Sequence, residues 1–233
     1  MTQRIIEIDS PVFILEHQAP PGTDLSAFFP LQRPLALEIG CGIGDFIVQR
    51  AAQRPHLNHL AIDIYNKGCL KTCRKIETAG LDNVRVMRLE ARFLFHHYLT
   101  PQSLSAIYIN CPDPWPKKRH RSRRLVGREF LLAALYYLRP GGELCFATDF
   151  PDYAADVAEV LPTLPGYRNL QPAPLTTELP GYPLSKYMRR FLDLGQPIHF
   201  IHYCRHEEYD ADRTLIPPPV PGFRLRWAEA GGA

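Results

Sequence analysis

Five short apolar runs, each followed by a segment of helical period, constrain this chain more than any other feature. The runs occupy 35–39, 59–63, 84–89, 106–111 and 143–148, and the helical segments 45–53, 67–79, 92–98, 126–138 and 153–161. That alternation predicts an α/β fold, a mostly parallel sheet with helices on both faces. The runs are near-continuously apolar, as strands covered on both faces are. Arg139-Pro140-Gly141-Gly142 stops a helix and turns the chain into the fifth run. Beyond 161 the rhythm loosens. A short strand is expected at 167–170 and a helix at 184–194, with Leu184, Tyr187, Met188, Phe191 and Leu192 on one side. A last strand follows at 198–203. Residues 1–30 and 204–233 are expected as extensions wrapped on the core or partly disordered, flanking one domain over 31–203.

Composition removes some function classes. The longest apolar stretch runs from 130 to 138, nine residues, too short to cross a bilayer. Acidic residues interrupt the apolar ones at the start, unlike a signal peptide, so a cytoplasmic protein without a membrane partner is expected. The six cysteines are scattered and suit small buried hydrophobes. Cys69 and Cys73 stand one helical turn apart, but no zinc-finger pair completes a site. His199 and His202 lie on opposite faces of a strand. No metal is expected.

Leu37-Glu38-Ile39-Gly40-Cys41-Gly42-Ile43-Gly44-Asp45 leaves the first run and enters the first helix. Glycines at alternate positions let the backbone turn tightly and approach a ligand. Dinucleotide loops use G-x-G-x-x-G and cup a pyrophosphate. Here Gly40, Gly42 and Gly44 follow another spacing, and Glu38 would repel phosphate. A cationic, hydroxyl-rich nucleoside suits the loop better, and S-adenosyl-L-methionine is one: it carries an ammonium and a sulfonium and no phosphate. Asp63, 19 residues after Gly44, stands where an acidic side chain meets ribose hydroxyls in related sheets. Glu90, after the third run, is placed to approach adenine.

After the fourth run comes Pro112-Asp113-Pro114-Trp115-Pro116, then Lys117-Lys118-Arg119-His120-Arg121-Ser122-Arg123-Arg124. Three prolines in five residues stiffen a loop that presents Asp113 and Trp115, an arrangement suited to holding a planar base. Net charge is only +3, too mild to argue for a nucleic-acid partner, yet these eight residues hold six Lys or Arg. So local a concentration is the footprint of phosphate contacts. Asp149, just past Thr148, is open to two readings: a substrate carboxylate, or the N-cap of the next helix.

Those residues bring a family into view. The run at 112–124 and Phe-x-x-Leu-Gly-Gln-Pro-Ile at 191–198 resemble the bacterial tRNA (guanine-N7)-methyltransferases. The resemblance covers about 30–203. It implies a Rossmann-like seven-stranded methyltransferase sheet with an antiparallel last strand, and methyl transfer to the tRNA variable-loop guanine at position 46. Glu38, Asp63, Glu90 and Asp113 are then cofactor residues, Lys117 and Asp149 substrate residues, and Arg119, His120, Arg121, Ser122, Arg123 and Arg124 RNA contacts, with Asp113 and Asp149 at the chemistry. The family's late motif, Thr-x-aromatic-Glu, contributes to the guanine pocket. Here it reads Ser185-Lys186-Tyr187-Met188, with Ser185, Tyr187 and Met188 at the corresponding substrate positions. A thioether cannot accept strong hydrogen bonds from a base. Guanine is left with Asp149 or Asp113, or Met188 simply packs its helix. Two alternatives remain at this point: a methyltransferase for another nucleobase or a small molecule, and a non-catalytic RNA-binding relative.

Overall fold

In the computed structural model, which describes residues 6–210, the five predicted repeats occupy adjoining strands of one sheet. The elements are β1 (Phe13–Ile14), β2 (Leu35–Ile39), α1 (Asp45–Gln53), β3 (Asn58–Asp63), α2 (Asn66–Thr78), β4 (Val84–Arg88), α3 (Ala91–His97) and β5 (Leu104–Asn110). Then come α4 (Arg128–Tyr137), β6 (Leu138–Thr148), α5 (Pro151–Val160), β7 (Tyr167–Asn169), α6 (Lys186–Asp193) and β8 (His199–Arg205). Spatial order is β1-β4-β3-β2-β5-β6-β8-β7. Pairing is parallel from β1 through β6, and β8 runs antiparallel between β6 and β7.

Seven of these strands are the expected sheet. The eighth, β1, comes from the segment expected as an irregular extension. Ile8, Val12, Phe13 and Ile14 are buried, and Phe13 and Ile14 pair with Val86 and Met87. Four apolar residues in a short stretch suffice to cover the exposed edge of β4. At the other end, Arg205 is buried and donates to the Leu138 carbonyl at 2.7 Å. Residues 211–233, most of the expected C-terminal extension, lie outside the described residues.

Strand alternation divides the core. Leu37, Ile39, Leu60, Ile62, Ile107 and Ile109 face α3, α4 and α5. On the opposite face Ala61, Val84 and Val86 meet α1 and α2, while Ala36, Ala106, Tyr108 and Ala147 meet Phe46, Tyr182 and Met188. The Arg139–Gly142 turn falls within the bounds of β6. Its register jumps from Leu104↔Leu138 to Ala106↔Glu143, so these four residues bulge, with Gly141 at φ +70°.

Chain order reverses between β2 and β5, since β3 lies to one side of β2 and β5 to the other. The crevice outside the carboxyl ends of those two strands is where open α/β sheets take ligands. Glu38 and Asn110 sit there. Among the described residues, no helix is long and apolar enough to cross a membrane.

Candidate active site

The glycine loop adopts a left-handed backbone at Gly40, Gly42 and Gly44, with φ of +79°, +56° and +83°. The glycines do different work. A Cβ on Gly44 would meet Thr72 at 2.8 Å, so that glycine allows α2 to approach. A Cβ on Gly40 or Gly42 would meet nothing within 4 Å, so both border open space. From below, Gly68 of α2 supports the loop; a Cβ there would strike the Gly42 carbonyl at 2.3 Å.

Asp63 fastens the loop. One carboxylate oxygen accepts the Gly42 amide at 2.7 Å, and the other accepts the Tyr65 amide at 2.8 Å. Burial pushes its carboxyl up, amide bonds pull it back, and Asp113 is near enough to add repulsion.

Glu38 is 1% exposed. Its Oε1 accepts from Asn110 Nδ2 at 3.3 Å, while the buried Oε2 has no partner. Burial raises its carboxyl to about 8, opposed by the Asn110 bond and reinforced by Asp63 and Asp45. An unpartnered buried carboxylate oxygen beside a glycine loop with vacant Cβ positions fits the ammonium end of S-adenosylmethionine. It does not fit a phosphate.

Glu90 is committed locally. It caps α3, accepting the Phe93 amide at 3.0 Å, and pairs with Arg92 at 2.9 Å. Asp149 is not the cap of α5, which removes that one of its two readings. The N-cap of α5 is Phe150, whose amide donates to Thr148 Oγ1 at 3.1 Å. The Asp149 carboxylate is left half-buried, its pKa pushed up by burial and eased by His199. Cys111 donates its amide to the Ala147 carbonyl at 2.8 Å, which brings the 112–116 loop alongside the end of β6. Cys111 and Trp115 hold φ of +47° and +44°. Non-glycine residues there cost about 1–2 kcal/mol each, so this loop stores strain.

The basic segment folds as a 3-10 helix over Lys118–Arg123, and its cations divide into two groups. Arg121 pairs with Asp152 and Asp156, and Arg124 with Asp156. Arg124 also donates to the Pro114 carbonyl at 2.8 Å and stacks on Tyr153, its side chain 4% exposed. Arg124, expected as an RNA contact, is therefore a buried tether of the segment to α5. Arg123 covers the Trp115 ring at 4.9 Å and His120 meets it edge-on, so one indole face is occupied. Lys117, Lys118, Arg119 and Ser122 are exposed.

The late motif does not present a pocket as expected. Ser185 caps α6, its hydroxyl accepting the Met188 amide at 3.2 Å, and the Met188 sulfur accepts the Ser185 amide. Met188 is fully buried and packs in the core with Tyr182 and Phe200. That removes it from the substrate residues: a side chain with no exposed surface cannot touch a base. Tyr187 and Leu192, expected on the packed side of α6, face outward.

Among the described residues, one group offers three donors close together: Glu143, Cys145 and His202. Glu143 already accepts Arg54 at 2.9 Å and His202 at 3.0 Å, so an arginine occupies the place of a cation. Sequence reasoning missed Asn110, Tyr182 and Gly68. None belongs to a motif, and each matters only through what the fold sets beside it.

With the geometry in hand, comparisons give it a family. A family model described as "Putative methyltransferase" matches residues 32–201. A tRNA (guanine-N(7)-)-methyltransferase from Syntrophotalea carbinolica is 54% identical over 233 residues, 100% of both chains. Another, from Geobacter metallireducens, is 53% identical over 207 residues, 88% of this chain and 98% of its own. Of solved structures, TrmN from Thermus thermophilus has a TM-score of 0.53 at 20% identity, covering 74% of this chain and 45% of that one. The 16S rRNA methyltransferase KamB has a TM-score of 0.53 at 16% identity, covering 74% and 87%. At such identities these two likenesses concern the fold.

Proposed function

The chain belongs to the tRNA (guanine-N(7)-)-methyltransferase family, and from that premise we propose that it methylates N7 of a guanine in tRNA with S-adenosyl-L-methionine as donor. The target is the variable-loop guanine at position 46, and the location is the cytoplasm, where tRNA is the partner. The catalytic unit is residues 31–203, with the flanking segments as extensions. The observation that carries the reading is the unpartnered Glu38 oxygen at the same sheet edge as the uncommitted Asp149 and the basic segment.

The donor, when bound, supplies a methyl group activated on a sulfonium. Glu38 holds its ammonium, and Asp63 keeps the Gly40–Gly44 loop in shape while facing the ribose. Glu90, held as the α3 cap, borders the adenine side, and Asp113 borders both cofactor and base. No metal takes part in this reading.

Guanine N7 carries a lone pair in the neutral base, so no residue need remove a proton. The chain orients the base and excludes water, an effect worth about 7–11 kcal/mol when alignment is good. Asp149 accepts from the guanine N1–H and amino group. Its carboxylate also stabilises the positive charge that arrives on the purine. Lys117, Ser185 and Tyr187 lie on the substrate side, and Arg119, His120, Arg121, Ser122 and Arg123 face the RNA backbone.

Asp149→Ala tests this directly. Methyl transfer to tRNA should be abolished while donor affinity stays within about twofold. Loss of donor binding to the same degree as transfer would contradict the assignment.

A further inference from the structure

Tyr182 lies outside every motif described above, three residues before Ser185 caps α6. Its buried ring packs on Phe46 and Phe200 with centroids 5.0 and 5.4 Å away, and the Arg50 guanidinium sits 4.9 Å from its centre. Its hydroxyl donates to Asn110 Oδ1 at 2.8 Å. A carboxamide carries its acceptor and its donors on opposite arms. With Oδ1 engaged by Tyr182, the Nδ2 arm turns to Glu38 and donates at 3.3 Å.

We propose that Tyr182 and Asn110 are positioning residues for the methyl donor: the Tyr182 hydroxyl fixes the Asn110 amide so that Glu38 Oε1 is tied and Oε2 is presented to the donor's ammonium. The proposal rests on Glu38 being a cofactor residue. It links the segment leading into α6, on the substrate side, to the cofactor carboxylate across the β2–β5 crevice.

The amide's orientation has a chemical consequence. An N–H aimed at Glu38 favours the carboxylate; a flipped amide, aiming its oxygen there, is compatible only with the protonated acid. Asp63 at the end of β3 and Asp45 of α1 both favour the proton, and Asp45 is itself offset by Lys75 at 2.8 Å and Arg189 at 3.3 Å. The neighbouring Cys41 thiol is buried and neutral. Arg50 lies behind the Tyr182 ring. Asn110 is the neighbour that favours the charged form.

Tyr182→Phe keeps the ring and removes the hydroxyl. The measurement is the dissociation constant for S-adenosylmethionine, by calorimetry, from pH 6 to 9.5 in the wild type, Tyr182→Phe, Glu38→Gln and the double variant. The donor's own α-amino titration is common to all four and cancels in ratios. The Tyr182→Phe to wild-type ratio should be about tenfold at pH 6.5, the effect of a tenfold change in the Glu38 proton equilibrium, and fall to near unity by pH 9.5. In the Glu38→Gln background, removing the hydroxyl should change affinity less than twofold. A ratio that is flat with pH, or that persists without Glu38, would overturn the proposal and leave the cofactor reading standing. If Glu38→Gln binds the donor like the wild type, the cofactor reading itself fails. Should Tyr182→Phe not fold, Asn110→Ala removes the N–H that the Tyr182 hydroxyl aims at Glu38 and must show a pH-dependent ratio of the same sign.

Discussion

The Asp63 carboxylate accepts the Gly42 amide at 2.7 Å, tying the end of β3 to the loop that leaves β2. The same carboxylate takes the Tyr65 amide. One side chain thus shapes the loop and starts the turn into α2. Replacing it by Ala leaves two amides without that acceptor, at about 1–3 kcal/mol each where water cannot reach. Asp63→Ala should lower the unfolding midpoint and abolish the stabilisation the donor confers. Thermal unfolding with and without donor checks both; an undiminished donor-induced rise in midpoint would contradict the role.

Glu38 makes the free protein's stability depend on pH with a defined sign. Its folded carboxyl titrates at about 8 against an ordinary 4.5. Between those values the native state holds a proton that the unfolded chain has released, so stability falls as pH rises. Above about 8 the penalty is fully present. Glu38→Gln should therefore be more stable than wild type at pH 9, by at least about 1 kcal/mol, since each tenfold change in a proton equilibrium is worth roughly 1.4 kcal/mol. The gap should close below pH 4.5. Denaturant unfolding at both ends of the range is the check, and equal stability at pH 9 would contradict the burial argument.

The division of the basic segment predicts separable losses. Arg124→Ala removes a buried cation that bonds the Pro114 carbonyl and stacks on Tyr153, and should cost about 1–3 kcal/mol of stability. Arg119→Ala should leave stability unchanged and weaken tRNA binding. Four Lys or Arg of the segment, Lys117, Lys118, Arg119 and Arg123, have no carboxylate partner among the described residues. Log affinity should then fall against log salt with a slope of about −3 from this segment, at roughly 0.7–0.9 per phosphate neutralised. A flat salt dependence, or destabilisation by Arg119→Ala, would contradict the division.

Met188→Glu puts the family's usual residue into this chain. Because Met188 is fully buried beside Tyr182 and Phe200, a carboxylate there has only the Ser185 amide, which now donates to the Met188 sulfur, to offset the burial of its charge. Unfolding should become easier by several kcal/mol, whereas Met188→Leu should cost less than about 1.5 kcal/mol. A stable and more active Met188→Glu enzyme would show that the position faces substrate.

What the sequence disclosed, and what it hid, follows from how far each signal reaches. The five strands of 35–39 to 143–148 were legible because burial on both faces makes a strand continuously apolar. The glycine loop, Asp63 and the basic run are local patterns, and each lies at the sheet edge. β1 escaped notice because two residues, Phe13 and Ile14, are too few to show alternation. The commitments of Arg124 and Met188 were hidden because partners such as Asp156 and Phe200 are remote in the chain, whereas Glu90 is held by its neighbours Arg92 and Phe93 once a helix starts at Ala91. Tyr182 is 72 residues from Asn110 and could be connected to it only through the fold.

The most direct test of the account is to incubate bulk tRNA with the protein and S-adenosylmethionine bearing a labelled methyl group, digest the RNA, and identify the labelled nucleoside and its position by mass spectrometry. The account predicts label in 7-methylguanosine from the variable loop. Label in any other nucleoside, or none in RNA despite saturable donor binding, would contradict it.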